Sequence, residues 1–255
     1  ALELAKRGMA VACVARTLHE GDHTLSGSLD ATVAEIEAAG GRGLAIAANI
    51  ADEAECRRVV AETVENLGPV DLLVNNAAFA WFGPVAQVSA GRFKRVLDVN
   101  LTAPLMLSQA VLPSMVERAG GAIINVSSGA ARGPGRGPYD GDTAGIGGAT
   151  IYGVSKAALD RLSQGMAEEV FPHGITVASL GPSRVVMTPG TALHGYSTDD
   201  TEPETFMARA VALIAGGTPA QWSGRILYSQ RVLEECGELG QAVGPREAYL
   251  PRIGD

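Results

Sequence analysis

Cysteine is scarce in this chain: Cys13, Cys56 and Cys236 stand far apart and their number is odd. That spacing excludes a disulfide framework and a cysteine-based zinc site, and fits thiols kept reduced in the cytoplasm. Histidine is as thin. His19, His23, His173 and His194 are dispersed, none pairs at metal-ligand spacing, and no metal is expected. Runs of lysine and arginine are missing, and 20 basic against 28 acidic residues leave a net charge of −8. A nucleic-acid partner is therefore not expected. No unbroken apolar run reaches membrane-spanning length and no basic-then-apolar leader opens the chain, so no membrane partner is expected either. Aromatic residues are only 5%, so small and branched aliphatic side chains must build the core.

There is ample material for that core. Hydrophobic residues make up 46% of 255 and charged residues 19%, which excludes a disordered chain and fits a single α/β domain over 1–255. Short apolar runs alternate with helical stretches. MAVACVA (9–15), GLAIAAN (43–49), VDLLVNN (70–76), GAIINVSS (121–128), GITVASL (174–180) and RILYS (225–229) read as buried strands. Between them, helices are predicted to end at Gly8 and to span 29–39, 53–67, 102–119 (Pro104 in its first turn) and 150–170, with another opening at Ser89. This alternation predicts a doubly wound parallel sheet, a Rossmann-like three-layer sandwich. Two glycine-rich stretches, 129–148 and 181–205, are long for connections and read as inserted flap or lid loops. Asp199, Asp200, Glu202 and Glu204 read as a solvated loop and helix start. The tail from Glu234 carries no usable motif.

Ligands of such sheets bind beyond the carboxyl ends of the strands. Those ends carry Arg16, Asn49, the run 75–78, Ser127-Ser128 and the run 181–183. Near them, Tyr152-Gly-Val-Ser-Lys156 places a phenol and an ammonium one helical turn apart, on one face. A nearby cation favours phenolate, which suits Tyr152 to acid/base work on an alcohol or carbonyl. Ser128, closing the preceding strand, and Asn100, in LDVN, complete a candidate catalytic set. Trp81, Phe82 and Phe93 are candidates for a pocket wall or for core packing. Met187, Leu193, Phe206 and Met207 would favour an apolar or aromatic substrate.

These segments, LVNNAA, VLDVNL, GAIINVSS, YGVSKAAL and GITVASLGP, stand in an order that resembles the short-chain dehydrogenase/reductase family. The resemblance runs from Ala1 to about Thr188. It implies an oxidoreductase that uses NAD(P) to interconvert a secondary alcohol and a ketone, or to reduce an aldehyde. Tyr152 would be the acid/base. Lys156 would lower its pKa and hold the nicotinamide ribose, Ser128 would bind the substrate oxygen, and Asn100 would hold a water leading from Lys156 to solvent. Asn49, Ile50, Asn76, Ala77, Ala78, Pro182, Val185 and Thr188 would contact the cofactor, Asn76 to Ala78 also bracing the central strand. Arg16 would meet the adenosine 2′ position, where a guanidinium suits the phosphate of NADP better than the hydroxyl of NAD. A homodimer or homotetramer in the cytoplasm is implied as well.

Four features depart from the family. Its glycine-rich phosphate loop and first strand do not precede the first helix here, so about twenty further residues carrying Gly-x-x-x-Gly-x-Gly are expected ahead of Ala1. Asn49 stands where Asp is usual. Ala78 and Ser183 replace glycines, and their side chains are expected to narrow the nicotinamide pocket. Ser128 and Tyr152 are separated by an insert that also holds Tyr139, which has no lysine four residues on. Two other readings remain open at this point: a dinucleotide-binding regulatory or scaffold protein without turnover, and a lyase or epimerase on the same fold.

Overall fold

The computed structural model describes residues 1–22, 27–133, 148–189, 191 and 198–241. Six strands, β1 (Ala10–Ala15), β2 (Arg42–Ala47), β3 (Leu72–Asn75), β4 (Gly121–Val126), β5 (Ile175–Gly181) and β6 (Ile226–Tyr228), alternate with helices. These are α1 (Leu2–Lys6), α2 (Leu29–Ala38), α3 (Glu53–Leu67), α4 (Ala90–Leu97), α5 (Ala103–Glu117), α6 (Thr150–Val170), α7 (Glu204–Gly216), α8 (Pro219–Trp222) and α9 (Ser229–Glu235). Polar caps start several of them. Ser28 Oγ accepts the Ala31 N–H at 3.1 Å, Asp52 Oδ1 the Ala54 N–H at 2.9 Å, and Ser89 Oγ the Arg92 N–H at 3.2 Å. The doubly wound expectation holds, and α7 begins at Glu204, within the acidic stretch that reads as a loop and helix start.

Strand pairing is parallel throughout, in the order β1-β2 for one sheet and β3-β4-β5-β6 for the other. Among the described residues no strand joins β1 to β3, and the sheet is split at that place. Alternation along β4 makes the three layers. Ile123 packs with Val111 and Met115 of α5 and Met166, Ala167 and Val170 of α6. Ile124 turns to the opposite face, with Ala210, Val211 and Ile214 of α7. Both isoleucines are fully buried, each contributing about 1.5–3 kcal/mol of transfer free energy. Every residue of β5 is buried, as expected of a strand covered on both faces.

The stretch predicted as two helices is continuous from Ala90 to Glu117, with a widened π turn over Asp98–Thr102. Pro104 lies in the first turn of α5, as expected, directly after that widened turn. It has no N–H to offer the carbonyl of Asn100, so the regular ladder cannot pass through this point. By length and mean hydropathy Ala90–Glu117 is long and apolar enough to cross a bilayer, which a search for unbroken apolar sequence misses. Its Ala103, Leu107, Val111 and Met115 are core residues here.

Candidate active site

Tyr152 lies in the first turn of α6 and is half-buried, while Lys156, on the same face, is 1% exposed. The Lys156 Nζ stands 5.8 Å from the centroid of the Tyr152 ring and donates to the carbonyl of Val126 at 2.7 Å. Burial pulls the Lys156 pKa down to about 8, against the opposing effect of Asp160 one turn further along. Asp160 is itself buried and accepts from the Ser179 hydroxyl. Burial pushes its pKa up, while the hydroxyls of Ser127 and Ser179 and the charge of Lys156 pull it down.

Ser128, half-buried at the end of β4, accepts the Ala130 N–H at 3.2 Å and so opens the turn Gly129–Arg132. That turn packs on α6 through Gly153. A Cβ on Gly153 would stand 2.6 Å from the Ala130 carbonyl oxygen, closer than real Cβ contacts allow. The glycine beside the tyrosine is thereby explained: it lets the serine-bearing turn and the tyrosine-bearing helix touch.

The loop after β3 reaches the same place. Gly83 N–H donates to the Gly148 carbonyl at 2.9 Å, and the Phe82 ring lies 5.7 Å from that of Tyr152 in a tilted arrangement. Phe82 is thus the member of the aromatic trio set against the candidate acid/base. Trp81 folds over Gly83 instead, and Phe93 stands partly exposed on α4. Of the four residues expected to mark an apolar substrate, Met207, on α7, is partly buried against the core, Met187 is exposed, Phe206 is partly buried, and Leu193 lies outside the described residues. Tyr139 and the insert from 134 to 147 also lie outside them.

Asn100 sits in the π turn, fully buried. Its Oδ1 accepts the Phe79 N–H at 2.8 Å, and its Nδ2 donates to the Phe79 carbonyl at 3.0 Å and the Ser155 hydroxyl at 2.9 Å. The side chain therefore anchors the loop after β3 to α6, one residue from Lys156. Central-strand bracing comes from Asn75, the first residue of the run 75–78, together with Asn125 and Ser163. Asn75 Nδ2 donates to Asn125 Oδ1 and Asn125 Nδ2 to Ser163 Oγ, both at 2.8 Å and all buried. Asn76, Ala77 and Ala78, by contrast, are exposed beyond β3. The only signal in the sequence for the asparagine pair is an Asn near the end of VDLLVNN and another inside GAIINVSS, which strand register brings opposite each other.

At the other strand ends, Arg16 is exposed just after β1 and makes no ion pair among the described residues. Asn49 is exposed and Ile50 half-buried. Pro182 and Val185 are partly buried, and Thr188 is exposed, its N–H donating to Thr191 Oγ1 at 2.7 Å. The Ser183 hydroxyl accepts the Gln230 N–H at 3.1 Å, in the first turn of α9. Glu202 corrects an expectation: it is 4% exposed rather than solvated.

A family model described as short chain dehydrogenase matches residues 1–194. The chain belongs to the short-chain dehydrogenase/reductase family. Among its relatives is a short chain dehydrogenase of Pseudocercospora fijiensis, 33% identical over 98% of this chain and 83% of that protein. A Xanthomonas campestris chain assigned as a dehydrogenase superposes with a TM-score of 0.80 at 28% identity, covering 99% of this chain and 91% of its own. A blue fluorescent protein from a metagenomic library, solved with NADPH, gives 0.71 at 31% identity, covering 87% and 86%. This family member is an oxidoreductase of the Rossmann-like class.

A cavity of about 570 Å³ lies at the opposite end of the sheet from Tyr152, lined among others by Leu4, Met9, Leu72, Gly121 and Thr176. It holds none of the candidate catalytic residues.

Proposed function

We propose that this chain uses NADP, or NAD, to interconvert a secondary alcohol and a ketone, or to reduce an aldehyde, with Tyr152 as the acid/base. The observation that carries the reading is the buried Lys156 amine facing the Tyr152 ring from one turn away, beside the turn that Ser128 opens. Within this reading a Lys156 ammonium favours the phenolate of Tyr152, so the phenol can give or take a proton at the substrate oxygen. Ser128 hydrogen-bonds that oxygen and steadies charge developing on it. Asn100 holds the loop after β3, and with it Phe82, against α6.

The donor set at the strand ends fits a nicotinamide dinucleotide. Arg16, without an ion pair among the described residues, offers a guanidinium to a 2′-phosphate, and this supports NADP over NAD. Asn49, Ile50 and Asn76–Ala78 would hold the adenosine half, and Pro182, Val185 and Thr188 the nicotinamide half. The dinucleotide supplies or accepts the hydride; the protein supplies position and electrostatics. NADPH bound to the metagenomic relative supports the same choice. Exposed Val116 on α5 and Val154 on α6 support a homodimer or homotetramer, and the reduced-thiol composition supports a cytoplasmic setting.

The test is NADPH consumption across a panel of ketones and aldehydes. Stoichiometric oxidation supports the reading. Product change without net oxidation favours a lyase or epimerase, and binding without turnover favours a regulatory dinucleotide binder. The engagement of Lys156 with the Val126 carbonyl is the one observation on the side of that last alternative.

A further inference from the structure

Glu202 is a buried carboxylate with no part in the chemistry above, and its hydrogen bonds join three stretches of chain. Oε1 accepts the Ser183 N–H at 3.2 Å and the Ser229 hydroxyl, and Oε2 accepts the Gln230 side-chain amide at 2.9 Å. The Ser183 N–H also reaches Ser229 Oγ at 3.0 Å, and the two serine hydroxyls stand 3.3 Å apart. Backbone bonds continue the lacing. Val185 N–H donates to the Asp200 carbonyl at 3.3 Å, Glu202 N–H donates to the Val185 carbonyl at 3.0 Å, and Arg184 pairs with Asp200 at 3.0 Å. Residues 183–185 are thus tied to 200–202 and to the junction of β6 with α9. Gly181, two residues earlier, lies against the Ser128 backbone: a Cβ there would stand 3.5 Å from Ser128 N.

A carboxylate leaves water only where donors replace its hydration, and here three kinds of donor do so. Such a group is not needed merely to connect β5 to α7, for which a solvated loop suffices. What it adds is direction, because the positions of Ser229 and Gln230 in the first turn of α9 fix where the carboxylate sits, and the carboxylate fixes the Ser183 N–H. We propose that Glu202 is a positioning residue that sets the path of Ser183–Val185 as the seat of the nicotinamide half of the dinucleotide. The inference rests on the dinucleotide reading above. Ser183 takes part in the same node through its own hydroxyl, which accepts the Gln230 N–H and lies 3.3 Å from that of Ser229.

Binding of NADPH and of 2′,5′-ADP, which lacks the nicotinamide half, is measured by titration calorimetry for the unaltered protein, Glu202→Ala and Glu202→Gln. Glu202→Ala is expected to weaken NADPH at least about tenfold while 2′,5′-ADP changes less than about twofold. Glu202→Gln keeps an acceptor for the Ser183 N–H and is expected to recover most of the loss. Parallel weakening of both ligands, or of neither, overturns the positioning role. Where Glu202→Ala does not fold, Ser229→Ala removes one donor to Glu202 and one acceptor of the Ser183 N–H while leaving the carboxylate in place, and a loss confined to NADPH is expected again, with parallel or absent losses overturning the role. Unaltered protein that binds neither ligand overturns the dinucleotide reading instead.

Discussion

The carbonyl oxygen of Ala130 occupies the space into which a Cβ on Gly153 would project, at a separation of 2.6 Å. Ala130 lies two residues after Ser128, and Gly153 directly follows Tyr152. The contact therefore sets the distance between the two groups proposed to meet at the substrate oxygen. Backbone cannot swing aside as a flexible side chain can, so Gly153→Ala must push the serine turn off α6. Overpacking of this kind costs about 1–3 kcal/mol. The variant is expected to melt earlier and to lose turnover by more than its melting shift accounts for. Unchanged turnover in the folded variant would disprove the idea that this contact registers serine to tyrosine.

Tyr152→Phe removes the phenolic oxygen and keeps the ring, including its packing on Phe82. Loss of a positioned acid/base lowers rates by about a hundredfold or more. NADPH affinity is expected to stay within about twofold, since the ring and Lys156 both remain. Calorimetry and single-turnover rates check the two halves separately. Near-normal turnover would remove Tyr152 from its proposed role.

Much of this was open to sequence reasoning because local rules governed it. The strands and most helices follow apolar periodicity and polar caps, and helical spacing puts Tyr152 and Lys156 on one face, though it took Ser128, Asn100 and the family's motif order to single the pair out. What stayed hidden depends on neighbours distant in sequence. Glu202 reads as one acid among several in a polar stretch until Ser229 and Gln230, some 27 and 28 positions away, surround it. The role of Asn75 appears only when β3 and β4 pair in a register that sets it opposite Asn125. The π turn at Asn100 was hidden for a different reason. Proline at 104 predicts the start of α5 but not that a widened turn precedes it, which packing decides.

Asn125 is the middle of a buried relay, accepting from Asn75 and donating to Ser163. Asn125→Leu has similar volume but strands the Asn75 amide in the core. An unsatisfied buried polar group costs about 1–3 kcal/mol. Urea denaturation should show a loss of that size. Adding Asn75→Leu should restore part of it, because the stranded donor is then gone too. A double variant as unstable as the sum of the two single ones would show that the asparagines do not act as a pair.

Lys156 gives the candidate site a pH signature. Its folded pKa is drawn down to about 8 by burial, from an ordinary 10.5. Between these values the unfolded chain keeps a proton that the folded chain has shed, so this group makes stability rise with pH across that window. Below about pH 8 the full cost of burying the ammonium is present, on the order of 3 kcal/mol. Relative to Lys156→Met, the unaltered protein should therefore gain stability from pH 8 to 10.5 and hold a constant difference below that range. Catalysis should run the other way, because the ammonium that favours the Tyr152 phenolate is lost over the same rise. Activity is then expected to fall with an apparent pKa near 8, and Lys156→Arg, which stays charged, should abolish that alkaline fall while lowering the rate at every pH. Paired denaturation curves and pH–rate profiles measure both. A stability difference that stays flat across the alkaline window would mean that Lys156 is not buried as an ammonium, and an alkaline fall retained in Lys156→Arg would assign that limb to another group.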